Sequence, residues 1–411
     1  MKLRKQFLYL TLLTGITIIQ GCNSKGNLSA EQSEKQESEY LTWVINMANS
    51  DIERNPDAWM LDFVDKPKWN YTNGLVCSAM ESLWKYTGDQ KYYDYIYAYA
   101  DTMINEDGDI LTYDKEDFNI DKINSGKFLI AVYKESGEER FKKAIDLLRD
   151  QMKDHPRTSE GGFWHKKRYP HQMWLDGLYM GSPFLVQYAV EFGEDSLFDD
   201  VVNQIRLIEK YTKDEETGLY YHAWDESHEQ KWADKETGLS ENFWGRGMGW
   251  YAMALVDVLD FIPQDHPGRT EILANIKHMA KAVTDYQDEA SGVWYQVLDQ
   301  GDREGNYLES SVSAMFSYFL VKAVRNGYID VSYMDAATKG YNGILNEFIM
   351  VHDDGEVELT DVCATAGLGG TPFRDGTYQY YIEETIRSND PKAVGPFIML
   401  CLEMDKYHSN I

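Results

Sequence analysis

From about residue 40 onward, apolar and aromatic residues recur at three- and four-residue spacing, the period of helices with one face turned inward. Residues 71–84, 92–103, 128–133, 141–152, 174–192, 197–208, 244–262, 272–286, 311–324 and 393–407 form such blocks. Short polar stretches join them, and few convincing long strands interrupt. The pattern predicts an all-α chain of helical hairpins, stacked or closed into a ring, rather than a doubly wound sheet.

A weak internal repeat lies between the helical blocks. After polar turns the chain reads GGFWH at 161–165, GLYYH at 218–222 and GVWYQ at 292–296, with less aromatic relatives GDILT at 108–112 and GEVEL at 355–359. A recurring turn between helices places these segments at one end of the assembly. His165, His222 and Gln296 then share equivalent positions around a common mouth.

The N-terminus follows another pattern. Lys2, Arg4 and Lys5 precede an apolar run over residues 7–19, and Gln20 and Gly21 lead to Cys22. A basic start, a short apolar segment and a small residue before cysteine predict a lipoprotein signal at 1–21, with Cys22 as the lipidated residue. Residues 22–39 read as a polar tether, and 40–411 as one large helical domain. The expected location is that of an exported lipoprotein at the outer membrane, facing the periplasm or the surface.

Composition narrows the partners. The 411 residues carry 40 basic and 68 acidic side chains, a net charge of −28. Loss of residues 1–21 removes three positive charges and no negative ones, leaving −31. Phosphate recognition needs concentrated Lys and Arg, so nucleic acid and polybasic membrane docking are excluded. Membrane contact is expected only through a lipid on Cys22. Cys77, Cys363 and Cys401 are widely separated, form no disulfide framework or zinc spacing, and read as buried packing.

The sequence HQMWLDGLYMGSPF at 171–184 sets one carboxylate, Asp176, among apolar residues. Such a group is either paired or desolvated until its pKa rises into the range of a general acid. An aspartate capping a helix end is the structural alternative, and this stretch alone leaves it open. Asp121 is a second carboxylate in similar surroundings, and the two form a candidate acid/base pair. His165 and His222 follow aromatic residues in the repeat, whereas a lone buried histidine is ordinarily structural. Arg246 lies between Gly245 and Gly247 and between Trp244 and Trp250; its planar fork suits a carboxylate. With 11 Trp and 29 Tyr, these groups fit a carbohydrate whose faces stack while its hydroxyls and carboxylate take hydrogen bonds. GRGMG at 245–249 resembles a phosphate loop only superficially, having no preceding strand and no lysine. HExxH spacing and the GxSxG elbow are both absent from the sequence, so neither a catalytic metal nor a serine nucleophile is expected.

Taken together, NIDKINSG at 119–126, HQMWLDGLYMGSPF at 171–184, LYYHAWDES at 219–227, FWGRGMGWY at 243–251, WYQVLD at 294–299, LESSVSAMF at 308–316, AGLGG at 366–370 and RDGTY at 374–378 resemble glycoside hydrolase family 105, the unsaturated rhamnogalacturonyl hydrolases. The resemblance runs in order from about residue 40 to 406. It implies an (α/α)6 barrel with the active site at one mouth and no cofactor. It also implies an unusual reaction on a terminal uronic acid bearing a C4=C5 double bond. An acid protonates C4, water adds at C5, and the hemiketal rearranges to release the neighbouring sugar. By the same resemblance Asp176 is the general acid/base, Asp121 its partner carboxylate, His165 and His222 substrate-site histidines, and Trp244 and Trp250 stacking aromatics. Arg246 faces the unsaturated sugar, and Tyr71 in WNYTNG at 69–74 is a site tyrosine.

Two alternatives accompany this expectation. One is the same chemistry on an unsaturated glucuronyl unit of another acidic or sulfated polysaccharide, as in the related family 88. The other is a catalytically silent sugar-binding lipoprotein, which would have no need of both Asp121 and Asp176.

Overall fold

The computed structural model describes residues 38–409; the predicted signal segment, Cys22 and the tether up to residue 37 lie outside the described residues. α1 (Glu39–Arg54) begins one residue before the expected domain start, where Ser38 Oγ caps it by accepting from Leu41 N at 3.1 Å. The remaining helices come as hairpins. α2 (Tyr71–Thr87) is followed by α3 (Gln90–Met103), and α4 (Gly126–Ser136) by α5 (Glu139–Asp154). Next come α6 (Leu175–Phe192) with α7 (Ser196–Thr212), α8 (Gly245–Val258) with α9 (Arg269–Asp285), and α10 (Ser310–Arg325) with α11 (Tyr333–Glu347). After the short α12 (Tyr378–Glu383), α13 (Pro391–Ser409) packs on α1 to make the sixth pair.

The first member of the five consecutive hairpins, and α13 of the sixth pair, form an inner ring. α2 packs on α4, α4 on α6, α6 on α8, α8 on α10, α10 on α13, and α13 returns to α2. Sequence follows this placement. Inner α10 buries every residue except Arg325, whereas outer α5 buries a stripe that includes Phe141, Ala144, Ile145, Leu148 and Met152. A helix apolar all round needs neighbours on every side, and the ring supplies them. Each large side chain so buried contributes about 1.5–3 kcal/mol. This is the (α/α)6 barrel expected from the sequence.

The repeated turns gather at one end of the ring. Gly108, Gly161, Gly218, Gly292 and Gly355 all have positive φ, between 74° and 94°. In two of these turns the glycine N–H closes back on an aspartate carbonyl, Gly218 on Asp214 and Gly292 on Asp288, each at 2.9 Å. A side chain would be strained there, which accounts for the recurring glycine.

Beyond the last three of these turns the chain clasps the start of the preceding inner helix. Leu175 N donates to His222 O at 3.0 Å, Gly245 N to Gln296 O at 2.9 Å, and Ser310 N to Asp361 O at 3.1 Å. These carbonyls satisfy helix-start N–H groups that have no partner within their own helix. A two-stranded ribbon, β1 (Gln172–Trp174) against β2 (Ala223–Asp225), pairs Trp174 with Ala223 at the start of α6. Two further ribbons, β3 (Ile349–Val351) with β4 (Val357–Leu359) and β5 (Val362–Cys363) with β6 (Ile386–Arg387), complete the small strand content among the described residues.

Candidate active site

The β1–β2 pairing brings two candidate residues together. Asp176 lies in the first turn of α6, where the helix N-terminus favours negative charge. His222 immediately precedes β2, and its Nε2 is 3.1 Å from Asp176 Oδ2. The opposite ring nitrogen, Nδ1, is 2.7 Å from the Tyr381 hydroxyl on α12. His222 and Tyr381 are fully buried; the Asp176 side chain is 13% exposed. A Tyr381–His222–Asp176 chain of hydrogen bonds therefore runs from the interior to the open mouth.

This pairing bears on the two options left open for Asp176. Burial, the largest single influence, pushes its pKa up. The His222 charge and hydrogen bond, joined by His165, outweigh burial and hold the carboxyl below its ordinary value. Asp121 pushes the other way, with the smallest of these effects. Of the two options left open by the sequence, paired or desolvated, pairing prevails.

Asp121 sits in a 3-10 turn (Ile120–Ile123) beneath the same mouth. Its Oδ2 is 2.5 Å from Lys166 Nζ and its Oδ1 3.4 Å from His165 Nε2. Burial raises this carboxyl too, but Lys166 and His165 together bring it below its usual value. His165 is pushed down to about 3, chiefly by burial, with Asp121 opposing and Lys166 adding to the fall. It is therefore a neutral ring at neutral pH. That ring stacks on Trp174 with centroids 4.3 Å apart, and Tyr169 continues the stack at 5.2 Å from Trp174.

The remaining candidates lie deeper. Trp250 is 1% exposed, stacked on Tyr179 at 4.9 Å and met edge-on by Tyr71 at 6.3 Å. Tyr71 is half-buried; burial, the dominant effect, and nearby Asp62 push its hydroxyl pKa well up, and Arg246 and Asp121 also act on it. Trp244 is also 1% exposed and packs between His222 and Tyr381. Both tryptophans thus stack on the protein's own rings.

Arg246 differs from its expected posture. Its Nη1 donates to Cys363 O and to Ser311 Oγ at 3.3 Å, and lies 3.6 Å from Glu309 Oε1. Only Nε has no hydrogen-bond partner. The two-pronged face is committed to the interior, so it cannot grip a carboxylate in two places as its residue type suggested. The flanking glycines explain why: a Cβ on Gly245 would stand 3.0 Å from Tyr295 O, and one on Gly247 3.1 Å from Trp244. They let α8 pack tightly rather than open a path for ligand. Gln296 is also buried; it accepts from Trp244 Nε1 at 3.2 Å and donates to Tyr381 O at 3.0 Å.

Beside the Tyr169 end of the stack lies an open cleft of about 840 Å³, lined by Arg168, Lys231, Phe373 and Arg374 among others. Arg374 Nη2 donates to the Tyr169 hydroxyl at 2.9 Å, and Phe373 is 49% exposed. Sequence reasoning gave no role to Tyr381, Trp174, Lys166 or these cations. RDGTY at 374–378 was the one available signal, since it holds Arg374 four residues ahead of the start of the Tyr381 helix.

A six-hairpin barrel with two carboxylates and two histidines gathered at one mouth defines a helical-barrel glycoside hydrolase. Residues 43–408 match the model of Glycosyl Hydrolase Family 88. A solved family 105 glycoside hydrolase of C. acetobutylicum ATCC 824 is 46% identical, covers 89% of this chain and 99% of its own, and superimposes with a TM-score of 0.85. This chain belongs to glycoside hydrolase family 105. Protein Atu3128 of Agrobacterium fabrum is 36% identical over 230 residues, 54% of this chain and 97% of that protein. The unsaturated rhamnogalacturonyl hydrolase YesR of Bacillus subtilis is 27% identical over 252 residues, 60% of this chain and 68% of YesR.

Proposed function

We propose that this protein removes the terminal 4,5-unsaturated uronic acid from rhamnogalacturonan oligosaccharides released by a lyase, by hydrating the C4=C5 double bond. The observation that carries this is the Asp176 carboxylate held by His222 beside Asp121 and His165. YesR, whose name gives this activity, lends support. Asp176 is the proton donor to C4 and the base toward water. In the free site it is ionised, so it must gain its proton on substrate binding. An anionic sugar that displaces water around it supplies both desolvation and negative charge, and each raises a carboxyl pKa. Asp121 accepts from substrate hydroxyls, and neutral His165 and Trp174 form an apolar wall beside the ring. Tyr71 is the donor left to meet the uronate, with Trp244 and Trp250 supporting the floor behind it and Arg246 holding that floor from within.

A panel of unsaturated disaccharides, followed by loss of enol ether absorbance, tests the proposal. Turnover of the rhamnogalacturonan disaccharide is expected. Unchanged absorbance across the panel would reject it. A second reading, an unsaturated glucuronyl unit on a sulfated neighbour, is favoured by Arg168, Lys231 and Arg374 in the cleft of this acidic chain. Preferential turnover of sulfated disaccharides would select it.

Lipid attachment at Cys22 and outer-membrane residence belong to the same proposal. Cys22→Ala should move the protein from the membrane to the soluble fraction; an unchanged distribution would remove the anchor from the account.

A further inference from the structure

The barrel has a second polar cavity, at the end away from the catalytic mouth. It measures about 240 Å³ and is bounded by the C-terminal halves of α2, α8, α10 and α13, with Tyr179 and Gln187 of α6 and Lys127 of α4. That is room for about eight waters or one small organic molecule.

The charges around it are uneven. Lys85 pairs with Glu81 at 2.6 Å, and Lys322 with Asp257 at 2.7 Å and Asp260 at 2.6 Å. Arg325 and Lys406 share Glu403 at 2.6 Å and 2.8 Å. Lys127 is the fifth cation, and among the described residues its side chain alone of the five has neither ion pair nor hydrogen bond. Its side chain is 4% exposed, and Nζ rests 3.7 Å over the Tyr179 ring. Burial lowers Lys127 to about 7, with Asp257 and Glu81 pulling upward and Lys322 downward. The Tyr179 hydroxyl is fully buried and also lacks a hydrogen-bond partner.

We infer that this cavity is a binding site for a small monoanion of the carboxylate class, held by Lys127 Nζ and the Tyr179 hydroxyl. One negative charge balances the surplus cation, and a carboxylate accepts from both donors at once. A dianion would leave one charge uncompensated in a buried site. The Gln187 amide at the rim suits a hydroxyl on the acid. None of these residues hydrogen-bonds or ion-pairs with Asp176, Asp121, His165 or His222, while Tyr179 stacks on Trp250 behind the proposed substrate floor.

Calorimetric titration of the full chain with sodium acetate, in a carboxylate-free buffer slightly below neutral pH, tests the inference. One acetate per chain is expected. Lys127→Met should weaken binding at least tenfold, and Tyr179→Phe several-fold. Crystals grown in bromide should show an anomalous peak against Lys127 Nζ. Absence of acetate heat in the wild type, binding unchanged in both variants, or bromide found only elsewhere would overturn it. Should Lys127→Met fail to fold, Tyr179→Phe and the bromide position still decide the matter.

Discussion

His222 Nε2 lies 3.1 Å from Asp176 Oδ2, and the Tyr381 hydroxyl holds the opposite ring nitrogen at 2.7 Å. The pair makes Asp176 a carboxylate in the free protein. Replacement of Asp176 by Asn keeps its size and removes the transferable proton. Turnover of an unsaturated disaccharide should fall by about a hundred- to ten-thousandfold. Substrate binding, measured by calorimetry, should stay within a few-fold. Retained activity would move the acid role to another group.

Tyr381 touches no reacting atom; it positions His222. Tyr381→Phe frees His222 Nδ1 while keeping the ring that stacks on Trp244 at 6.0 Å. A fall in kcat of roughly tenfold is expected, with KM little changed, since the hydrogen bond orients the partner of the acid. A change in KM alone would show that Tyr381 serves packing or substrate affinity instead.

Lys166 holds Asp121 ionised. Lys166→Met removes a cation that lowers both Asp121 and His165, so both should titrate at higher pH. The acid limb of the kcat/KM profile should therefore move upward. An unshifted limb would detach Asp121 from the rate.

Arg246 and Glu309 are 1% and 0% exposed and share a network with Ser311 and Cys363. Arg246→Met should destabilise the fold by about 3–5 kcal/mol in urea denaturation, because it strands a buried carboxylate. Adding Glu309→Gln should recover part of that loss. Unaltered stability in the single variant would mean Arg246 is held for substrate rather than for the fold.

His155 gives a pH test outside the two carboxylate–histidine pairs. Burial, opposed by its bond to Trp164 O at 2.7 Å, lowers it to about 4, against roughly 6.5 when unfolded. Between those values the unfolded chain binds a proton that the native chain excludes. Its contribution is complete above pH 6.5 and declines as pH falls toward 4, by about 3 kcal/mol at most. His155→Gln should flatten the stability curve over that interval. The same slope in the variant would assign the loss to other groups.

Local pattern revealed most of the barrel and part of the site. α6 and α10 were readable because unbroken apolar runs demand neighbours all round. α11 carries two interior glycines, Gly340 and Gly343. There they allow close approach: a Cβ would stand 2.3 Å from Ser317 Oγ at one and 2.4 Å from Ser291 O at the other. Asp176 and His222 stood out through their aromatic settings, yet their pairing depends on the β1–β2 register. The tie between Tyr381 and His222 carries no local signal, since the two are 159 residues apart. Arg246 was misread for a related reason, since its counterion Glu309 comes from another hairpin.

The sixth hairpin joins the first and last helices of the described chain. Tyr40 of α1 stacks on His408 of α13 at 4.9 Å, and Ser38 bonds Asp405. α13 is also the helix that closes the ring, since α1, α2 and α10 all pack on it. Loosening α13 would therefore uncover the apolar flanks of three helices at once, so damage at this one seam is felt on both sides of the barrel.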